Sequence, residues 1–320
     1  MNVKFFSKRL FFVPILTCAV FSLLVLKGAT QYSPEEYEVY QSAVNAPPEE
    51  REDAIIQFVG ENPKSALVEY AASEYVKLMQ SYQGQGGFGK AVDAGKRMLE
   101  LLPEDLDILS ALLHVTSESA LQAQRFQEAI LYGEKLYSVK PSPSVAYILA
   151  YSYRPLEDYE KYAEYGQIAC QSLEALNCHA IALDLTKRLA NQQEFGKAAK
   201  YAQQAIDGLD PSDSENIVEV YRVLGRSAFE EEAWNVSIAN YQKVVDASSD
   251  KTTQAEAYYR MGMSQWKLKD LDATQESFAK GSANQTQWQK HCRQQLEFIY
   301  KSTHNGSLAG LDEFVERVTR

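Results

Sequence analysis

The stretch VEVYRVLGRSAFEEEAWNVSIANYQKVVD, residues Val218 to Asp246, holds two amphipathic helices joined by a tight turn. On the first, Tyr221, Leu224, Gly225 and Ala228 recur at three- and four-residue spacing and share one face. On the second, Trp234, Ile238, Tyr241, Val244 and Val245 do the same. Gly225 and Ala228 are small where the two helices have to cross closely. A lone hairpin of this kind cannot bury its apolar faces; it needs copies of itself to stack on.

A copy follows at once. In Ala255 to Gly281, Tyr258, Met261 and Gly262 repeat Tyr221, Leu224 and Gly225 thirty-seven residues later, and Leu271, Thr274 and Phe278 repeat Trp234, Ser237 and Tyr241. This spacing resembles the tetratricopeptide repeat (TPR), W-x2-L-G-x2-Y followed by A-x3-F, here as Tyr221-x2-Leu224-Gly225-x2-Ala228 and Ser237-x3-Tyr241. The resemblance implies an all-α, right-handed superhelical solenoid.

Earlier units are more divergent. Pro34 opens a helix that runs through Val44, and Glu49 to Val59 forms its partner, ending at Gly60 and Pro63. Further hairpins are expected over Ser65 to Leu102 (closed by Pro103), Asp105 to Lys140, Ser144 to Gln171 and His179 to Leu209. About seven hairpins therefore fill residues 31–283, and residues 284–320 form capping helices, the first from Gln285 to Ser302 and a short last one from Leu308 to Val318.

The first 30 residues stand apart. Lys4, Lys8 and Arg9 precede an apolar run from Leu10 to Leu26. It is a little long for a signal-peptide core and short for a spanning helix, so it reads as an uncleaved membrane anchor or a secretory signal, with a buried structural helix as the lesser alternative; Lys27 spoils the cleavage site ahead of Ala29. A lipoprotein reading of Cys18 is weakened because the apolar run continues past it. Either main reading puts the chain after Gln31 outside the cytoplasm, in the periplasm or secreted, since the positive charges stay inside. There Cys170 and Cys178, which straddle an inter-helix turn, could pair, but two small buried thiols are the favoured reading and the sequence leaves the pairing open. Cys292 stays free on either reading.

The net charge of −11 and a pI near 5.0 argue against general nucleic-acid binding. Gly84 to Ala91, GQGGFGKA, imitates a phosphate-binding loop, but helical pattern rather than a strand precedes it and Ala91 replaces the magnesium-binding hydroxyl; it reads as a turn. His114, His179, His291 and His304 are scattered without metal-ligand spacing, and no serine sits in a nucleophile elbow. Sequons at Asn235, Asn284 and Asn305 carry little weight, the first lying inside a helix. The reading is a non-enzymatic chain with no cofactor, no metal and no small-molecule substrate.

In TPR arrays the first helices of successive units line a concave groove. By that resemblance the groove positions are Tyr147 and Tyr151, Arg222 and Arg226, and Tyr259 and Met263, with Arg154 and Trp266 one turn further along. Two arginines four residues apart in an acidic protein suggest a basic spot for an acidic or C-terminal-carboxylate peptide. The bland alternative pairs them with carboxylates of neighbouring units. The asparagine and lysine set of the family's chaperone-type carboxylate clamp is missing, which puts that ligand in doubt. The expected function is a protein-interaction scaffold on the outer side of a membrane. The alternatives are an assembly factor or stabilising subunit of an envelope complex, and an accessory subunit that positions a separate enzyme.

Overall fold

A computed structural model of the chain describes residues 32–102, 106–172, 176–283 and 285–320. The expected anchor at 10–26, Cys18, Pro103 and the sequon asparagine Asn284 lie outside the described residues.

The described chain is all-α. Its helices are α1 (Pro34–Val44), α2 (Arg51–Glu61), α3 (Val68–Gly84), α4 (Phe88–Leu99), α5 (Leu109–Gln122), α6 (Phe126–Val139), α7 (Pro143–Tyr153) and α8 (Tyr159–Ser172). They continue with α9 (Cys178–Asn191), α10 (Phe195–Ile206), α11 (Ser214–Glu230), α12 (Trp234–Ala247), α13 (Lys251–Lys267), α14 (Leu271–Ser282), α15 (Gln289–Thr303) and α16 (Leu311–Thr319). The α2 helix differs from expectation: Gly60 lies inside it and Asn62, whose side chain donates to Phe58 O, ends it.

The chain divides into two compact units. One comprises the residues up to Leu78 with Arg97–Leu109, and the other Met79–Lys96 with Ser110–Arg320. In the first, α1 opens on a capping box: Ser33 Oγ accepts from Glu36 N–H, and Glu36 accepts from Ser33 N–H. α1 packs on α2, with Tyr40 edge-on to buried Phe58.

In the second unit each helix from α6 to α14 packs on its successor, and α16 packs on α14. First helices touch across α9–α11, and α13 touches the first cap helix α15. The turns of five hairpins repeat one device, and α7–α8 instead turns through a 3-10 segment, Arg154–Leu156. Gly86, Gln124, Gln193, Glu232 and Lys269 adopt positive φ, from 58° to 77°. The next residue's N–H bonds a carbonyl five residues back: Gly87 to Tyr82, Arg125 to Ala120, Glu194 to Leu189, Ala233 to Ala228 and Asp270 to Gln265, all within 2.8–3.0 Å. This is a Schellman closure, which satisfies carbonyls that the helix end leaves open. In the glycine-rich stretch it commits the Gly87 amide to the chain itself, as the turn reading expects.

Small residues set the crossings. A Cβ on Gly225 would lie 2.9 Å from the Tyr241 ring, and one on Gly262 would lie 2.7 Å from the Phe278 ring. Buried Ser237 donates to Gly225 O at 2.9 Å, and Ser264 reaches Ser237 at 3.2 Å, tying one repeat to the next. Val220, Val223 and Ser227 are buried too, so α11 is covered on more sides than its single apolar stripe implies. At the C-terminal end Leu296, Ile299, Tyr300 and Leu311 close over Phe278 and Ala279.

Candidate functional site

The second unit presents the expected groove residues along its first helices. On α11, Arg222 and Arg226 share a face and both meet carboxylates. Arg222 is 3.2 Å from Glu219 on its own helix and 3.3 Å from Glu256 on α13. Arg226 is 2.8 Å from Glu230 and stands 5.3 Å from the Phe195 ring of α10. The expected basic spot is therefore already matched by acid. These pairs are partly exposed, so each contributes about 0–1 kcal/mol and exchanges easily with an incoming charge. Arg222, Arg226, Glu219 and Glu256 line a cleft of about 280 Å³, walled by Phe195 and Val223, with Tyr241 and Arg260.

On α7 the rings of Tyr147 and Tyr151 lie 4.6 Å apart, and Tyr151 is edge-on to Tyr162 of α8. Arg154 follows in a 3-10 turn, Arg154–Leu156, and forks onto Asp184 of α9 at 2.8 and 2.9 Å. Arg188 joins the same carboxylate at 2.8 Å. Burial pushes the Asp184 carboxyl up, but the two guanidiniums outweigh it and hold the group below the usual carboxylate range. Arg154 is thus a repeat-to-repeat fastener, and Tyr147 and Tyr151 are the half-exposed members of that group.

On α13, Tyr259 packs against Trp288 at 5.2 Å and against Phe278 at 5.9 Å, with His291 beyond. Met263 packs on the C-terminal core. Trp266 is exposed and meets Phe298, itself 62% exposed, at 6.5 Å. Groove residues therefore fall into three groups, on α7, α11 and α13, and only the α11 group encloses the 280 Å³ cleft.

Sequence reading missed Arg260, Tyr241 and Trp288 as members of this region. Arg260 stands 5.7 Å from the Trp288 ring and 6.0 Å from the Tyr259 ring, besides lining the cleft. The signal was in the register: Arg260 follows Val223 by the same thirty-seven residues that separate Gly225 from Gly262. Burial pushes the Tyr241 hydroxyl up to about 12, so it stays protonated at neutral pH.

Cys170 and Cys178 form a disulfide that ties the end of α8 to the start of α9, with their Cα atoms 5.2 Å apart. Neither is buried, which overturns the reading of two packed thiols. They edge a second cleft, of about 540 Å³, with Glu160, Glu164, Asp207 and Tyr201. Cys292 is free and buried. Among the described residues no group of three His, Cys, Asp or Glu could hold a metal, and no helix is long and apolar enough to cross a membrane.

No protein-family model matches the sequence. No curated protein matches it either. Solved structures do show similar folds. The complex of Naa15 and Naa10 bound to HypK covers 86% of this chain at 14% identity with a TM-score of 0.47. This chain spans 43% of that one. A tetratricopeptide repeat protein from Parabacteroides merdae covers 83% of the chain and 99% of its own, at 13% identity and a TM-score of 0.36. The TPR2AB domain of yeast Sti1 in complex with pHSP90 covers 89% and 94%, at 13% identity and a TM-score of 0.37. All three likenesses lie below a TM-score of 0.5; what agrees with the repeat pattern is the packing of successive helices in the second unit.

Proposed function

We propose that this chain is a non-enzymatic scaffold that holds a partner protein along the first-helix face of α7, α11 and α13, outside the cytoplasmic membrane. The observation that carries the reading is the make-up of that face. It offers half-exposed tyrosines, exposed Trp266 and exchangeable arginine–carboxylate pairs around a cleft. Rigid aromatic side chains and arginines are the residue types that dominate protein–protein contacts. An acidic or carboxy-terminal segment of the partner suits the arginines, provided its carboxylate displaces Glu219, Glu256 or Glu230.

The placement outside the cytoplasm draws on two features. The Cys170–Cys178 disulfide needs an oxidising compartment to persist. Lys4, Lys8 and Arg9 ahead of the apolar run Leu10 to Leu26 suit export with the charges retained inside. An uncleaved run would tether the scaffold to the inner membrane.

A second reading, a stabilising subunit of an envelope complex, is favoured by the exposed Trp266–Phe298 pair, because such a pair wants a permanent cover. Affinity purification of the full chain from membranes tests both. A partner lost when Tyr151 and Tyr259 are both changed to Ser supports the groove reading. A fixed-ratio partner lost only with Trp266→Ser and Phe298→Ser supports the subunit reading. A partner unaffected by either pair of changes, with unchanged circular dichroism, contradicts both.

A further inference from the structure

The second cleft, of about 540 Å³, lies between α8 and α10, the second helices of adjacent hairpins. Glu160, Glu164, Gln167 and Gln171 line it from one face of α8, which runs about 16 Å between the first and the last of them. Tyr201, Gln204 and Asp207 line it from α10, and buried Ile181, Ala182 and Leu185 of α9 form its floor. Of the hairpin junctions from α6 to α15, α8–α9 is the most thinly packed, which leaves the cleft open above that floor. The Cys170–Cys178 bridge spans this same junction and fixes wall to floor. The His179 ring, beside the bridge, donates from Nδ1 to Gln204 O at 2.7 Å, so the end of α10 lies beside the end of α8. Glu160, in the first turn of α8, therefore stands at one end of the cleft and Asp207 at the other. The charge along it is one-sided: three carboxylates line it and no lysine or arginine does. Lys161 engages Glu164 at 3.1 Å, but nearby Lys197 engages Glu194 instead, at 2.8 Å. Glu160 and Asp207 are exposed and have no ion-pair partner among the described residues.

We propose that this cleft is a second docking surface, separate from the first-helix face, and that it takes a short basic segment of a partner protein in extended conformation. Charge complementarity selects the sign of the partner. The spread of the acid selects its form. Among the described residues no group of three His, Cys, Asp or Glu could hold a metal, so the carboxylates do not converge on a point charge but suit charges set along a chain. An extended chain turns alternate side chains to one side and rises about 3.3 Å per residue, so the first and last side chains of a five-residue segment stand about 13 Å apart on the same side. Two lysines or arginines at those places reach Glu160 and Asp207, and an apolar side chain between them meets Ile181 and Ala163 at the floor. The bridge holds the walls in place before the segment arrives, which lowers the entropy lost on binding.

The test uses the full chain, its bridge intact, and three peptides carrying an uncharged fluorophore, followed by anisotropy at about 20 mM salt, where screening is weak. The first is Lys-Ser-Leu-Ser-Lys-amide, the second replaces both lysines with Gln, and the third replaces Leu with Ser. The first should bind at least tenfold tighter than the second and threefold tighter than the third. Glu160→Gln with Asp207→Asn should weaken the first probe tenfold or more. Glu38→Gln with Glu313→Gln removes the same charge from exposed places on α1 and α16, and should leave binding within twofold. A first probe with photo-leucine at its centre maps the site on the parent chain without any substitution, and should attach to residues 160–207. Equal binding of the Lys and Gln probes, equal loss in the two double variants, attachment outside residues 160–207, or no Lys probe bound at about 1 mM would overturn the proposal. Tyr151→Ser with Tyr259→Ser should leave probe binding within twofold, so the failure of one surface does not decide the other.

Discussion

The Tyr241 ring of α12 occupies the space where a side chain on Gly225 of α11 would begin: a Cβ there would lie 2.9 Å from Tyr241 Cε2 and 3.0 Å from Cδ2. The same relation recurs between Gly262 and Phe278 at 2.7 Å. The helices cross at a distance only glycine permits, and the ring packs with Ala257 and Met261 of the next repeat. Gly225→Leu should overpack this crossing and destabilise by about 1–3 kcal/mol. Gly196, on α10, is the control, because a Cβ there meets nothing within 4 Å. Gly196→Ala should stabilise by about 0.5–1 kcal/mol through backbone entropy alone. Urea unfolding checks both signs; a Gly225→Leu chain as stable as its parent would contradict the crossing geometry.

The turn inside the α11–α12 hairpin stores a small strain. Glu232 sits at φ 59°, where a non-glycine residue pays roughly 1 kcal/mol. Glu232→Gly relieves the side-chain penalty and should leave stability unchanged or raised by up to about 1 kcal/mol. Glu232→Val should destabilise by more than that, because a β-branched residue tolerates positive φ worst. Thermal unfolding of the two variants separates them, and identical melting would contradict the assigned turn.

Alkaline pH should weaken the C-terminal half. Burial pushes Tyr241 up to about 12 from an ordinary 10.0, and Cys292 up to about 12 from an ordinary 9.0. Both groups stay protonated in the fold while the unfolded chain begins to lose their protons. Above pH 9 the unfolded state therefore binds fewer protons, and stability falls as pH rises. Cys292→Ser would remove the part of that slope that begins near pH 9. Urea midpoints between pH 8 and pH 11 check this; a flat profile would contradict the burial of both groups. Iodoacetamide should also leave Cys292 unmodified until the chain unfolds, since the thiolate is the reactive form.

The Cys170–Cys178 bridge closes a short loop, with a sequence separation of 8. Loop-closure entropy puts its contribution at about 2–3 kcal/mol. Reduction should lower the unfolding midpoint accordingly. In cells, acid-quenched maleimide labelling of the native host's protein should find these two thiols blocked. Finding them free would contradict the placement outside the cytoplasm.

The hairpins were legible because glycine and aromatic residues recur at fixed spacing, and close helix crossings impose that spacing physically. Gly225 with Tyr241 and Gly262 with Phe278 carried the register, and the structure sets each pair in contact. The intra-hairpin turns were less legible. Gln124, Gln193, Glu232 and Lys269 take a backbone conformation that sequence reading assigns to glycine, and the Schellman hydrogen bonds hold them there. At the candidate site, Arg222, Arg226 and Arg154 were placed by the resemblance to TPR arrays. Their carboxylate partners were not, because Glu256 and Asp184 lie on the following repeat and their reach depends on how repeats stack. Arg260 was passed over because it adjoins a groove tyrosine, and only comparison with Val223 marks it as out of place.

The most direct measurement of the scaffold account is site-specific photo-crosslinking of the full chain in its native host. A benzophenone amino acid is placed at Tyr147 or Tyr259 on the first-helix face, or at Leu131 or Val139, exposed residues of α6. The expected result is one discrete partner band shared by the Tyr147 and Tyr259 positions and absent from the α6 positions. No band from the tyrosine positions, or the same bands from all four, would contradict a scaffold that works through this face.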